Sequence, residues 1–334
     1  MKDELLAAMG MVAVVVIVGL AAGCSNRQGE AVQSKFRTPW GEPDLQGVWS
    51  SETPTPLERP LAGERIINND EEAAALEQEL AKKWQENRGG GADPDNRTGS
   101  YNAFWQVRGK PVMGRASLIV DPKDGRLPPL TPQGKAIRAA RASNGLSDRA
   151  DGPEDRNEGE RCLHWERMFS GSVNQQHRIV QSPGYVAINS ERLHENRVIR
   201  LNDHSHLPKD VRQWKGDSIG HWEGATLVVD TANFADAKRD PAGTSKDVHV
   251  TERFTRVDDD SINYEATVDD PTIWTQSWTY ALPLRRQPGG TVGLFEYACH
   301  EGNYGLLGIL RGARVQEKNA KGAGEKGKQN SVTN

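Results

Sequence analysis

The chain has 334 residues, enough for one large β domain with helical additions or for two domains of ordinary size. Its 42 basic and 46 acidic residues leave a formal charge of −4, so no basic excess suits nucleic acid and no acidic excess suits a cation-rich partner. Nine Trp stand against six Tyr and six Phe; indole offers a large apolar face and one donor, a use that barrel packing and ligand stacking share.

Residues 5–22 are almost wholly apolar and are followed by Gly23-Cys24-Ser25. Leu20-Ala21-Ala22-Gly23 ahead of Cys24 resembles the lipobox of bacterial lipoprotein export signals. The resemblance implies removal of residues 1–23, a diacylated Cys24 as membrane anchor, and a place in the cell envelope, with Ser25 favouring the outer membrane. Asp3 and Glu4 behind Lys2 depart from the basic start such signals have. An uncleaved helix is the alternative, since this apolar run is just long enough to span a bilayer. With Cys24 carrying lipid, Cys162 and Cys299 remain to form a disulfide in an oxidising envelope. Two buried free thiols, or a nucleophilic Cys299 beside His300, are the competing readings. Neighbours along a strand point to opposite faces, which places Cys299 and His300 badly for a thiolate and its base.

Residues 24–37 read as a tether, and 38–145 as an N-terminal elaboration with two helices. Gly47-Val48-Trp49 looks like the G-x-W with which lipocalin-type barrels begin, where the Trp plugs one barrel end; the Pro-rich stretch through Pro60 departs from that family. Asn69 or Asp70 caps the first helix, Glu71 and Glu72 suit its positive end, and Leu76, Leu80 and Trp84 share a stripe. Gly89 to Gly91 end it and begin a loop. Ala116 to Val120 is an apolar run stopped by the turn Asp121-Pro122-Lys123-Asp124-Gly125. Thr131-Pro132 opens the second helix and Asn144-Gly145 closes it. The charged stretch 146–160 is the best internal boundary.

From 161 to 317 the pattern is β. Ile262, Tyr264, Ala266 and Val268 alternate with polar residues, as a half-buried antiparallel strand requires. Nine strands are expected, at 177–182, 185–190, 197–202, 218–222, 226–234, 248–257, 262–268, 274–282 and 294–299. The expected fold is mainly β: an antiparallel meander closing as a calycin-like β-barrel or sandwich, with a helical N-terminal elaboration and a C-terminal helix. Asn303 caps that last helix, with Leu306, Leu307, Leu310 and Ala313 towards the body. Residues 318–334 have the composition of a disordered tail.

Four segments stand out together: Gly216-Asp217-Ser218-Ile219-Gly220-His221-Trp222-Glu223-Gly224-Ala225-Thr226-Leu227-Val228-Val229, Glu252-Arg253-Phe254-Thr255-Arg256, Val268-Asp269-Asp270-Pro271-Thr272-Ile273-Trp274-Thr275, and Glu296-Tyr297-Ala298-Cys299-His300-Glu301-Gly302-Asn303-Tyr304. They resemble a large family of secreted proteins of environmental bacteria without an assigned activity. The resemblance covers most of the chain from Trp40 to Gln316. It implies export and a shared fold and assigns no catalytic residue.

There is no G-x-S-x-G, no Walker or dinucleotide glycine motif and no H-E-x-x-H. Three readings of function follow. A small apolar or aromatic molecule binds in the barrel against Trp274, Trp278, Tyr280 and Tyr297. Alternatively, an envelope enzyme of hydrolase, isomerase or lyase type uses His300 and Glu301 at the barrel rim as acid and base, with Glu191 and His194 as the second choice of site. In the third, the protein is an interaction subunit of an envelope complex, which requires an exposed apolar patch. Packing in the core, and ion pairing of His300 and Glu301 with Arg253 or Arg256, are the purely structural alternatives. Asp203-His204-Ser205-His206 puts two imidazoles on one face of an extended segment, but spacing supplies no further ligand, so no metal and no cofactor are expected.

Overall fold

The computed structural model describes residues 35–89, 109–143, 150–171, 175–203, 205–236, 243–286 and 293–332. Cys24, the apolar leader and most of the tether lie outside them, as do His204 and the expected helix closure at Asn144-Gly145. Among the described residues no helix is long and apolar enough to cross a membrane.

Ten strands form one sheet: β1 (Gly47–Ser50), β2 (Ile119–Asp121), β3 (Gln176–Ser182), β4 (Tyr185–Ser190), β5 (Asn196–Leu201), β6 (Asp217–Glu223), β7 (Thr226–Ala232), β8 (His249–Arg256), β9 (Ser261–Asp269) and β10 (Trp278–Arg286). The order runs β1-β3-β4-β5-β6-β7-β8-β9-β10, and β1 also pairs with β10, so nine strands close into a barrel; β2 lies against the first part of β10. Closure removes the unpaired edges that an open sheet of this size would expose.

The alternation in β9 holds residue by residue, with Ile262, Tyr264, Ala266 and Val268 buried. Trp278, Tyr280, Leu282 and Leu284 of β10 and Val250, Glu252 and Phe254 of β8 face the same interior. Trp49 is fully buried, with its indole N–H donated to Leu45 O at 2.9 Å and the Arg286 guanidinium 4.6 Å from its ring. The G-x-W thus marks a barrel strand inside the region read as an elaboration, and the barrel is not confined to 161–317.

Three other expectations are corrected. The meander is not wholly antiparallel, because β5 and β6 run parallel, with Ile199 opposite Ser218 and Leu201 opposite Gly220. The last expected strand, 294–299, has no partner strand among the described residues and is not a strand. Trp274 precedes β10, held by a turn in which its N–H bonds to Asp270 O at 2.9 Å.

Helix α1 (Asp70–Gly89) begins as expected: Asn69 Oδ1 accepts the Glu72 N–H at 2.8 Å, and Glu72 reaches back to the Asn68 N–H at 2.8 Å. In α2 (Pro132–Ser143) Thr131 Oγ1 caps Gly134 N at 2.9 Å. Helix α3 (Tyr304–Val332) is capped by Asn303 Oδ1 on Leu306 N, and it takes in most of the stretch whose composition suggests disorder. Leu306, Leu310 and Ala313 are half-buried against the body, whereas Leu307 is exposed. A disulfide joins Cys162 to Cys299, with Cα atoms 5.8 Å apart, and ties the chain before α3 to the loop before β3.

Candidate functional site

The parallel pair creates the most distinctive surface feature. In a hairpin one end of the pair is closed by its own turn; in a parallel pair both strand starts reach the same end with no turn across it. The residues leading into β5 and into β6 therefore run side by side, and between them lies a cleft of about 640 Å³. Leu193 to Val198 and Gln213 to Ser218 line it, together with Leu163, Tyr185 and Arg200. Gly216 sits at its edge with φ of +71°, and a Cβ there would stand 2.7 Å from Ala232 O. Only glycine suits that position.

Four partly exposed apolar side chains, Leu163, Tyr185, Val198 and Trp214, form the cleft's wall. Beneath them lies a buried ion cluster. Glu195 accepts from His164 Nδ1, from the Trp165 N–H at 3.1 Å, and faces Lys215 Nζ at 3.4 Å. Burial opposes the Glu195 charge, but Lys215 and His164 outweigh it and hold the carboxyl at about 2. His164 stacks on Trp214, centroids 5.8 Å apart, so the cluster and the apolar wall are one unit. Lys215 Nζ also donates to Glu166 O at 2.5 Å. The Glu166 carboxyl is buried, and loss of hydration raises it to about 7, against the opposing pull of Ser170, Lys215 and Arg192. Glu166 is not one of the cleft's lining residues; its buried carboxyl is hydrogen-bonded to Ser170.

The residues singled out in the sequence fall in three places. Trp274, Trp278 and Tyr280 are buried and pack on one another, with centroids 5.5 Å apart for Trp274 and Trp278 and 5.8 Å for Trp278 and Tyr280. Their use is core packing, continued through Tyr264 and Phe169. His300 and Glu301 are exposed in the turn before α3. The arginines considered as their partners are engaged elsewhere: Arg253 with Glu223 at 2.7 Å, and Arg256 on Asp44 O at 3.0 Å. Glu191 and His194 do come together, by holding the chain ahead of the disulfide. Glu191 Oε2 accepts the Phe295 N–H at 3.0 Å and His194 Nε2 accepts the Tyr297 N–H at 3.2 Å. Burial raises the Glu191 carboxyl, against the Phe295 hydrogen bond. His194 also borders the cleft, so of the residues singled out it is the one nearest the new site; Tyr297 is half-buried on the strap it holds.

Glu166, Lys215 and Trp214 carried no signal in the sequence, and Glu195 only its place one residue after His194. Their meeting depends on the parallel crossover, which no local pattern encodes.

Fold and cleft together define a closed, mixed β-barrel with a cleft on its outer face beside the two parallel strands. No protein-family model matches the chain, and no curated protein matches it. Among solved structures it is similar to a secretary abundant heat soluble (SAHS) protein from Ramazzottius varieornatus, at 10% identity and a TM-score of 0.25. That match covers 39% of this chain and 87% of the other, and a likeness so low carries no argument.

Proposed function

We propose that the protein is an exported, lipid-anchored barrel that binds a small apolar or aromatic molecule in the cleft between β5 and β6. The observation that carries this reading is the convergence of Leu163, Tyr185, Val198 and Trp214 on one concavity of about 640 Å³, within the range typical of small-molecule sites. Trp214, stacked on buried His164, is a preorganised aromatic platform. The lipobox resemblance at Cys24 supports the anchor, and the Cys162 to Cys299 disulfide fits an oxidising compartment. Titration with 1-anilinonaphthalene-8-sulfonate tests the site: saturable binding at one site is expected, lost in Trp214→Ala and in Val198→Asp. Undiminished binding in both variants overturns it.

The enzyme reading moves with the site. Of the acid-base residues singled out in the sequence, His194 lines the cleft whereas His300 and Glu301 do not, so His194 is the group such an enzyme uses. His194→Gln then abolishes turnover of any substrate found; full turnover in that folded variant ends the reading.

A further inference from the structure

On the outer wall, next to the β5 to β6 crossover and sharing Arg200 and Asp217 with the edge of the cleft, two imidazoles converge on one carboxylate. His206 comes from the crossover, Asp230 from β7 and His249 from β8, and one ligand atom from each lies within 4.8 Å of the others. Asp230 Oδ1 stands 3.3 Å from His206 Nε2 and 2.5 Å from His249 Nε2. We propose that His206, Asp230 and His249 form a binding site for one divalent first-row transition-metal ion.

Asp217 prepares the site from behind. Its carboxylate is buried and accepts from Arg200 Nη1 at 2.8 Å, from the Leu207 N–H at 2.9 Å and from His206 Nδ1 at 2.8 Å. A carboxylate held this way keeps the His206 proton on Nδ1 and leaves the Nε2 lone pair for the site, the arrangement by which metal-binding histidines are oriented. In the neutral tautomer with its proton on Nδ1, that lone pair faces the Asp230 carboxylate, acceptor against acceptor. Sharing a cation resolves the mismatch and engages His249 Nε2 as well.

The ligand set selects the ion. Two imidazole nitrogens and one carboxylate suit Zn²⁺ or another first-row ion, whereas Ca²⁺ and Mg²⁺ need mainly oxygen ligands. In a tetrahedral site with bonds of about 2.0 to 2.1 Å, ligand atoms stand roughly 3.3 Å apart. His206 and Asp230 already have that spacing, and His249 must withdraw by roughly 1 Å. Both Asp230 and His249 are about two-fifths exposed, which leaves room for that shift and for water at the remaining positions. Asp269, directly opposite His249 across the β8 to β9 pair, adds a further negative charge to the same face.

The alternative is a plain ion-pair network in which His206 and His249 serve as cations for Asp230 and Asp217. Calorimetric titration of Zn²⁺ into chelator-treated full-length protein separates the two. One equivalent is expected to bind, at least 100-fold more weakly in Asp230→Asn, His249→Gln and His206→Gln, and roughly 10- to 100-fold more weakly in Asp217→Asn. Mg²⁺ is expected to give no heat of binding. Near-UV circular dichroism confirms which variants keep the fold; His206 lies outside the strands, so its variant serves even if His249→Gln does not fold. Absence of saturable Zn²⁺ binding, or wild-type affinity in any folded variant of the three ligands, overturns the proposal.

Discussion

Glu252 grips Arg197 inside the barrel, with Arg197 Nη1 2.5 Å from Oε2 and Nη2 3.1 Å from Oε1. Both residues are buried, and the Tyr264 hydroxyl donates to the same carboxylate at 2.8 Å while Tyr280 donates to Phe169 O at 2.8 Å. Burial works against the Arg197 charge, but Glu252 outweighs it and raises the guanidinium pKa. The pair therefore links β5 to β8 across the barrel interior.

Breaking one side of that pair leaves a buried charge without its counter-ion. Glu252→Gln is expected to cost about 3 to 5 kcal/mol in urea denaturation, whereas Arg197→Met with Glu252→Leu loses much less, because desolvation of both charges is relieved together. A double variant no more stable than the single one contradicts this.

Stability should fall as pH rises through neutrality. Glu166 is raised in the folded state from 4.5 to about 7, so its protonated form stabilises the fold fully below 4.5, and that contribution is lost as pH climbs to 7. The size is on the order of 3 kcal/mol for a shift of this extent. Glu195 acts in the opposite sense: held at about 2, it contributes above 4.5 and is lost on acidification towards 2. Chemical denaturation between pH 5 and 8 is expected to show a downward slope that Glu166→Gln flattens; an unchanged slope in the variant refutes the assignment.

Reduction of the Cys162 to Cys299 disulfide should loosen the strap ahead of α3. The bridge closes a loop with a sequence separation of 137, worth roughly 4 to 5 kcal/mol in the chain-entropy model. The strap keeps its contacts to Glu191 and His194 only as two hydrogen bonds to backbone N–H groups. Limited proteolysis is expected to cut between 293 and 303 in reduced protein and in Cys162→Ser, and to spare oxidised wild type; equal resistance in both argues that other contacts hold the strap.

Gly216→Ala should damage the cleft before it damages the barrel. The left-handed backbone and the 2.7 Å approach to Ala232 O leave no room for a methyl group. A cost of about 1 to 3 kcal/mol is expected, with weakened dye binding, measured by thermal unfolding and fluorescence titration. Unaltered binding places the edge of the site elsewhere.

The strands were legible where one face is buried and the other wet. Val186, Ile188 and Ser190, then Arg197, Ile199 and Leu201, follow the period of two even though one member of the buried set is an arginine. Strand-favouring composition misleads at 294–299, where the Phe295 and Tyr297 N–H groups are taken by Glu191 and His194 instead of by a neighbouring strand. Parallel pairing of β5 and β6 is a property of chain routing and has no local code, so the cleft that depends on it was hidden. His206 was visible as a histidine wanting ligands; Asp230 and His249 sit at outward positions of strands read correctly, and only the register brings them to it. The elevated Glu166 carboxyl comes from burial by distant chain, which composition does not register.

Pairing of Trp49 with Arg286 has a consequence for assembly. The first barrel strand finds one neighbour at β3 but its second only at the end of β10, after nearly the whole barrel sequence. Contacts so far apart in the chain form late and slowly, since the intervening loop must first be ordered. A ribosome-bound chain that stops before residue 286 is therefore an open sheet with β10's edge incomplete, and it stays dependent on protection from aggregation until Trp49 is covered.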